Sequence, residues 1–139
     1  MRSILIDAGS LIALFAVDDK HHQKFDRLVS DFSEKGLRLL TTWPCVVETS
    51  YLHYVPQRFE MLRWIELGGA QVYPFEPVHL GEMIPWMQRY TEPNKREMDL
   101  ADGSLYWLAV ETGIVEIMTV DHNDFDRYRL PNGHAFVVL

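Results

Sequence analysis

Short apolar runs that alternate with helical segments constrain the fold of this chain more than any other feature. Residues 3–6, 37–41, 70–75, 114–120 and 135–139 have strand-like patterns, and the segments between them repeat apolar residues at helical spacing. Because several of these runs are almost continuously apolar, their strands are expected to be covered on both faces. The pattern therefore predicts an α/β fold, with a central, mainly parallel β-sheet flanked by helices on both faces.

The helices can be bounded from turn and capping signals. Proline in the first turn predicts a helix that begins near Trp43 and ends before Pro56. A helix over 77–90 is expected despite Pro85, where it can kink. The remaining helical segments are a helix beginning near Leu11, helices over 21–34, 56–67 and 98–112, and one turn over 124–128.

Length and composition predict one ordinary globular domain over residues 1–139, in which 47% of residues are hydrophobic and 24% are charged. The single cysteine, Cys45, excludes an intramolecular disulfide and favours a reducing compartment. No apolar run approaches the ~18 residues of a membrane span, so we expect a cytoplasmic protein with no membrane partner. The tryptophans are expected in the core rather than on a base-stacking surface: Trp43, Trp64, Trp86 and Trp107.

The net charge of −7 argues against a protein that holds nucleic acid mainly by releasing counterions. Metal-binding acids would inflate the negative count, however, and a basic partner protein could supply positive charge. Two basic stretches also flank the last acidic segments, and either a local positive rim or ordinary solvated helix ends would explain them. These stretches contain Arg89, Lys95, Arg96, Arg127 and Arg129.

Four acidic residues lie within or directly after apolar segments, where an unpaired carboxylate is costly. They are Asp7, Glu48, Asp102 and Asp121. Asp7 and Asp121 follow predicted strands, and sites in parallel sheets form beyond the carboxyl ends of strands. Converging carboxylates repel one another unless protons or a hard cation offset the repulsion, so the sequence indicates a divalent-metal site.

Each of these acids also has a structural alternative. Asp7 and Asp121 could cap the helices that follow them, and Glu48 could be a half-exposed helix residue. Asp99 shares a helix face with Asp102 and is either an auxiliary ligand or the N-cap of that helix. The hydroxyl groups of Ser10 and Thr119 could orient a carboxylate or a metal-bound water, or could form hydrogen bonds with the local backbone.

The ligand types favour Mg²⁺ or Mn²⁺, because carboxylate oxygens suit hard cations. Zinc is disfavoured, since Cys45 is alone and no histidine pair has helical i, i+4 spacing. A phosphate-binding glycine loop is also absent from the sequence, because residues 8–10 are too short to form one. No serine has an evident histidine–aspartate relay.

Four segments resemble, in order, the motifs of PIN-domain proteins, especially VapC-type toxins of toxin–antitoxin pairs: residues 4–14, 44–48, 98–105 and 118–125. The resemblance implies a PIN fold and Mg²⁺- or Mn²⁺-dependent endoribonuclease activity on RNA. It also implies that Asp7, Glu48, Asp102 and Asp121 form the metal-binding quartet. Family members commonly form homodimers and are inhibited by a small antitoxin. Gly103 stands where the motif commonly has alanine, and glycine destabilises the helix by up to ~1 kcal/mol relative to alanine.

We therefore expect a metal-dependent endoribonuclease that serves as the toxin of a toxin–antitoxin pair. A catalytically inactive PIN-like module that binds protein or RNA is the alternative that the acidic charge favours. A DNA-directed nuclease or a phosphatase would use similar metal chemistry. The oligomeric state is left open, because apolar residues of the helices between Trp43 and Trp64 could form a dimer interface or pack inward.

Overall fold

Five parallel strands form the centre of the protein. The computed structural model describes all residues, 1–139. The strands lie in the order β3-β2-β1-β4-β5, and every neighbouring pair is parallel. Their bounds are β1 Arg2–Ile6, β2 Leu37–Thr41, β3 Gln71–Val72, β4 Glu116–Met118 and β5 Val137–Val138. The predicted α/β class and parallel sheet are confirmed.

Seven helices connect the strands: α1 Ala8–Phe15, α2 His22–Ser33, α3 Trp43–Leu52, α4 Val55–Glu66, α5 Leu80–Arg89, α6 Leu100–Thr112 and α7 His122–Arg127. The chain first moves outward from β1 to β2 and β3, and then returns to β4 and β5 on the other side of β1. Right-handed crossovers in opposite directions cover opposite faces of the sheet. The order of strands therefore reverses between β1 and β4, and ligands bind at such a switch point. None of the helices is both long and apolar enough to cross a membrane.

The core lies on the central strands and on α6. Ile4, Leu5 and Ile6 of β1 are completely buried. Helix α6 is buried at every position from Ala101 to Ala109 except Asp102. A helix that is apolar on all sides belongs in the interior. The carboxyl group of Asp102 is therefore carried by a rigid central element of the fold.

Several element boundaries differ from the predictions. The third strand is confined to Gln71–Val72, because Pro74 has no N–H to donate to a neighbouring strand. The last two strands are also shorter than expected. The predicted helix over 77–90 consists of a 3-10 turn, Pro77–His79, followed by α5, which continues through Pro85.

The placement of the tryptophans was only partly predicted. Trp107 is buried, and Trp64 and Trp86 are half-buried against the core. Trp43 is 53% exposed, so its expected core position is wrong. The cause is local, since Trp43 is the first residue of α3 and lies outside the buried stripe of Cys45, Val46 and Thr49.

Helices α3 and α4 leave a broad apolar surface facing solvent. Its large side chains do not pack inward: Val47, Tyr51, Leu52, Tyr54, Val55 and Phe59 are all more than half exposed. Of the two alternatives for these helices, inward packing therefore does not hold for these side chains. A dimer interface at this surface stays a prediction.

Gly103 has a packing role that the sequence did not reveal. A Cβ at this position would lie 2.8 Å from Cγ of Met87, which is too close. Helices α5 and α6 therefore approach each other closely at Gly103, and alanine would force Met87 to move. This contact gives a physical reason for the departure from the resembled motif.

Candidate metal centre

Asp7 is fixed at the carboxyl end of β1. Its Oδ1 accepts a hydrogen bond from the backbone N–H of Ser10 at 3.0 Å, so Asp7 is the N-cap of α1. Its Oδ2 accepts a hydrogen bond from the hydroxyl group of Thr119. The residue is 6% exposed. The capping role of Asp7 is therefore real, and each carboxylate oxygen still has acceptor capacity left for a further partner.

Thr119 joins the ends of β1 and β4. Its hydroxyl group donates to Asp7 and also accepts the backbone N–H of Asp121 at 2.9 Å. The two chain segments approach closely here, because a Cβ on Gly9 would lie 2.6 Å from Cγ2 of Val120. The close contact brings the beginning of α1 against the segment that carries Asp121.

Helix α3 places Glu48 opposite these residues. The buried hydroxyl group of Thr49 lies 3.2 Å from the carbonyl oxygen of Ala8, at the start of α1. The hydroxyl group of Thr42 lies 2.6 Å from that of Ser104 on α6. These two contacts hold α3 between α1 and α6, so the side chain of Glu48 extends toward the same cavity from a third direction.

Asp99 and Asp102 have different structural roles at the start of α6. Asp99 is the N-cap, since its Oδ1 accepts the backbone N–H of Asp102 at 2.9 Å. Asp102 extends from the first turn, and its Oδ2 accepts a hydrogen bond of 2.8 Å from the hydroxyl group of Tyr128. Tyr128 is completely buried. It therefore holds one carboxylate oxygen of Asp102 in place and leaves the other free.

A cavity of about 200 Å³ lies among these elements, at the switch point of the sheet. The structure brings all four acids of the predicted quartet to its walls, together with Asp99. Thr119 does not line the cavity itself but donates a hydrogen bond to Asp7, which does. Ser10 contributes its backbone N–H to Asp7. The acidic residues that line the cavity are Asp7, Glu48, Glu97, Asp99, Asp102, Asp121 and Asp124.

Two acids of this cavity, Asp124 and Glu97, were not among the predicted site residues. Single carboxylate oxygens of Asp102, Asp121 and Asp124 lie within 4.8 Å of one another. Asp121 is the N-cap of α7 and accepts the backbone N–H of Asp124 at 3.4 Å, so the two share the first turn. The i, i+3 spacing of Asp121 and Asp124 was the available signal. Glu97 had none, because it lies in a turn-rich segment.

The cavity disfavours negative charge. Burial raises the pKa of Asp7 and of Glu48. Burial, reinforced by the charge of Asp99, raises the pKa of Asp102 to about 8. Burial and the neighbouring Asp124 raise the pKa of Asp121 to about 6. Ionised carboxylates held together in this way need a cation nearby, because repulsion and lost hydration both favour protonation.

Protein cations supply only a small part of that charge. No lysine or arginine lines the cavity. Arg127 forms an ion pair of 3.2 Å with Asp124 at the edge, and it is the only one of the five predicted rim cations that pairs with a cavity acid. Arg96 is instead paired with Glu92. Direct pairing of these cations with the cavity acids is therefore limited to Arg127.

The donor set fits a hard divalent cation. It consists of carboxylate oxygens, without histidine or cysteine among the lining residues. Two ligands on opposite sides of one Mg²⁺ lie roughly 4.2 Å apart, because each bond is ~2.1 Å. The 4.8 Å span of the Asp102, Asp121 and Asp124 oxygens is on this scale. Ligands of oxygen alone suit a hard divalent cation better than zinc.

The sequence matches no protein-family model and no curated protein. The fold, however, is similar to that of VapC20 from Mycobacterium tuberculosis, a sarcin-ricin loop cleaving toxin. The two structures superpose with a TM-score of 0.71 over 87% of this chain and 92% of VapC20, at 18% sequence identity. The protein therefore has the PIN-like fold that its sequence motifs predicted.

Proposed function

We propose that the protein is a metal-dependent endoribonuclease. The observation that carries the proposal is the convergence of acidic side chains from β1, α3, α6 and the end of β4 on one cavity at the switch point. Their raised pKa values and the absence of a lining lysine or arginine point to a divalent cation as the missing charge. The likeness in fold to a VapC toxin supports this assignment.

Asp102, Asp121 and Asp124 are the residues that would hold the ion, with Asp7 and Glu48 completing the site. Bound there, Mg²⁺ or Mn²⁺ would activate a water molecule and offset the charge that develops on a phosphodiester. Thr119 keeps the carboxylate of Asp7 in one orientation, and Tyr128 does the same for Asp102.

A toxin of a toxin–antitoxin pair is the biological role that the fold supports best. In that role, RNA is the substrate and a small antitoxin protein covers the site. An antitoxin with basic residues would complement both the acidic cavity and the net charge of −7. The broad apolar surface of α3 and α4 is available for such a partner or for a second copy of the chain.

The test compares the wild-type protein with the variant Asp7→Asn. Cleavage of RNA is expected with Mg²⁺ or Mn²⁺, with loss of activity in EDTA and in the variant. Asparagine keeps the size of the side chain and can still cap α1, so the variant is expected to fold. Unfolding monitored by circular dichroism checks this point.

Parallel assays on single-stranded DNA and on a phosphomonoester define the substrate class. Asp31→Asn, an exposed substitution on α2, is the matched control and should leave cleavage unchanged. Equal cleavage by Asp7→Asn and wild type would remove Asp7 from the mechanism. RNA binding that survives both EDTA and loss of Glu48, without any cleavage, would favour the inactive binding module instead.

A further inference from the structure

Trp43 is set apart from the other tryptophans by its surroundings. Trp64, Trp86 and Trp107 each pack against another aromatic ring, whereas the indole of Trp43 has no aromatic partner. More than half of the residue is exposed. Covering this indole would remove apolar surface from water, which is favourable.

The indole borders an open apolar cavity of about 600 Å³, whose other walls include Val47, Phe75 and Leu100. This volume is within the ~300–1,000 Å³ typical of small-ligand sites. The walls are held in place. Phe75 packs edge-on against buried Trp107, with ring centroids 5.8 Å apart. Pro44 follows Trp43 in the first turn of α3 and restricts the backbone there.

The apolar cavity adjoins the acidic one. Glu48, Asp99 and Ala101 line both, so the two cavities share a wall. A polymer whose phosphate lies against the acidic cavity would place its adjoining unit beside Trp43. No lysine or arginine lines the apolar cavity, so it has no group to attract a phosphate. It suits a flat, largely apolar group instead.

We propose that this cavity, with Trp43 as its platform, receives the base of the nucleotide next to the phosphate held in the acidic cavity. The inference rests on the proposed nuclease function and adds a base-binding subsite to it. Unpaired bases of RNA are recognised by stacking on aromatic side chains, and stacking requires only a π-face. The structure therefore favours an unpaired nucleotide at the cleavage site rather than one within a duplex.

The first test measures cleavage kinetics of Trp43→Ala and Trp43→Phe on a short single-stranded RNA. Loss of one stacking platform is expected to raise KM roughly 5- to 100-fold with little change in kcat, and phenylalanine should restore most of the loss. Phe59→Ala is the matched control, because Phe59 is an exposed aromatic residue on α4 that lines neither cavity. A KM of wild-type size in Trp43→Ala would overturn the inference.

The second test removes the base instead of the indole. With wild-type protein, an RNA that has an abasic residue beside the scissile phosphate should show a rise in KM about as large as the rise that Trp43→Ala causes with intact RNA. Combining the two changes should add little, since both delete the same contact. Independent, additive penalties would contradict a stack between Trp43 and that base.

Binding of a labelled single-stranded RNA, measured by fluorescence anisotropy with Ca²⁺ in place of Mg²⁺, separates this inference from the proposed function. RNA binding that weakens in Trp43→Ala supports the subsite even if the wild-type protein cleaves no RNA. Cleavage with wild-type KM in Trp43→Ala leaves the nuclease intact and removes the subsite. A dimer that becomes monomeric in Trp43→Ala, with unchanged KM, would assign the surface to a second copy of the chain.

Discussion

Replacing Asp102 with asparagine should stabilise the metal-free protein and at the same time weaken binding of the divalent cation by the protein. The carboxyl group of Asp102 is held against a cavity of like charge, and its pKa is raised from 3.8 to about 8. Asparagine has the same shape and no charge, and its amide oxygen can still accept the hydrogen bond from Tyr128. The substitution therefore isolates the electrostatic cost of the carboxylate.

The size of the effect follows from proton linkage. The folded protein binds the Asp102 proton more tightly than the unfolded chain does. The contribution of this proton to the free energy of unfolding is therefore fully present below about pH 4 and is lost as the pH rises to about 8. At pH 7, folding must take up a proton about three pH units above the ordinary pKa. At ~1.36 kcal/mol per unit, the cost is up to about 4 kcal/mol. Asp102→Asn should recover about 1–4 kcal/mol of it.

Urea denaturation in EDTA across about pH 5 to pH 8 measures this gain as a function of pH. The gain should grow with pH, whereas the exposed control Asp31→Asn should change little. Saturating Mn²⁺, at ~100 times Kd, should stabilise the wild type by about 2.7 kcal/mol and the Asp102 variant by much less. A variant that is no more stable than wild type at pH 7 in EDTA, or a gain that is the same at every pH, would refute the reasoning.

Three further predictions concern the residues that shape the cavity. Tyr128→Phe removes the hydrogen bond to Asp102 and should weaken Mn²⁺ binding about 10-fold or more by calorimetry; unchanged affinity would mean that the tyrosine does not position the carboxylate. Gly9→Ala places a Cβ against Val120 and should destabilise the fold by about 1–3 kcal/mol in urea titrations, with a neutral effect contradicting the close approach. Mn²⁺ affinity should rise from pH 5 to about pH 8 with release of protons, because the pKa is raised to about 8 for Asp102 and to about 6 for Asp121. Calorimetry in buffers of different ionisation enthalpy counts those protons. A Mn²⁺ affinity that does not change with pH would argue against both ligands.

Much of the fold could be predicted because the responsible signals are local. Leu37–Thr41 and Trp43–Leu52 were located from an apolar run and from a proline in a first turn. The third strand was predicted too long, although Pro74, which has no N–H to pair with a neighbouring strand, was visible in the sequence.

The predicted acidic residues came from position at strand ends and from the resembled motifs, and all five, with Asp99 included, line one cavity, whereas Ser10 and Thr119 lie outside its lining. Two competing interpretations proved to be compatible, since Asp7 and Asp121 cap helices and line the cavity at once. The role of Tyr128 was not visible, because its contact with Asp102 joins residues that only the packing of α6 brings together. The exposure of Trp43 has a local cause, since it is the first residue of α3 and lies outside the buried stripe of that helix.

The central claim is that the carboxylates of Asp102, Asp121 and Asp124 enclose a single hard-cation site. The most direct measurement is an anomalous difference map from crystals of the protein soaked in Mn²⁺. We expect a peak in the cavity about 2 Å from oxygens of these carboxylates, and its loss in Asp102→Asn. Crystals that take up Mn²⁺ elsewhere but show no peak among these oxygens would contradict the account.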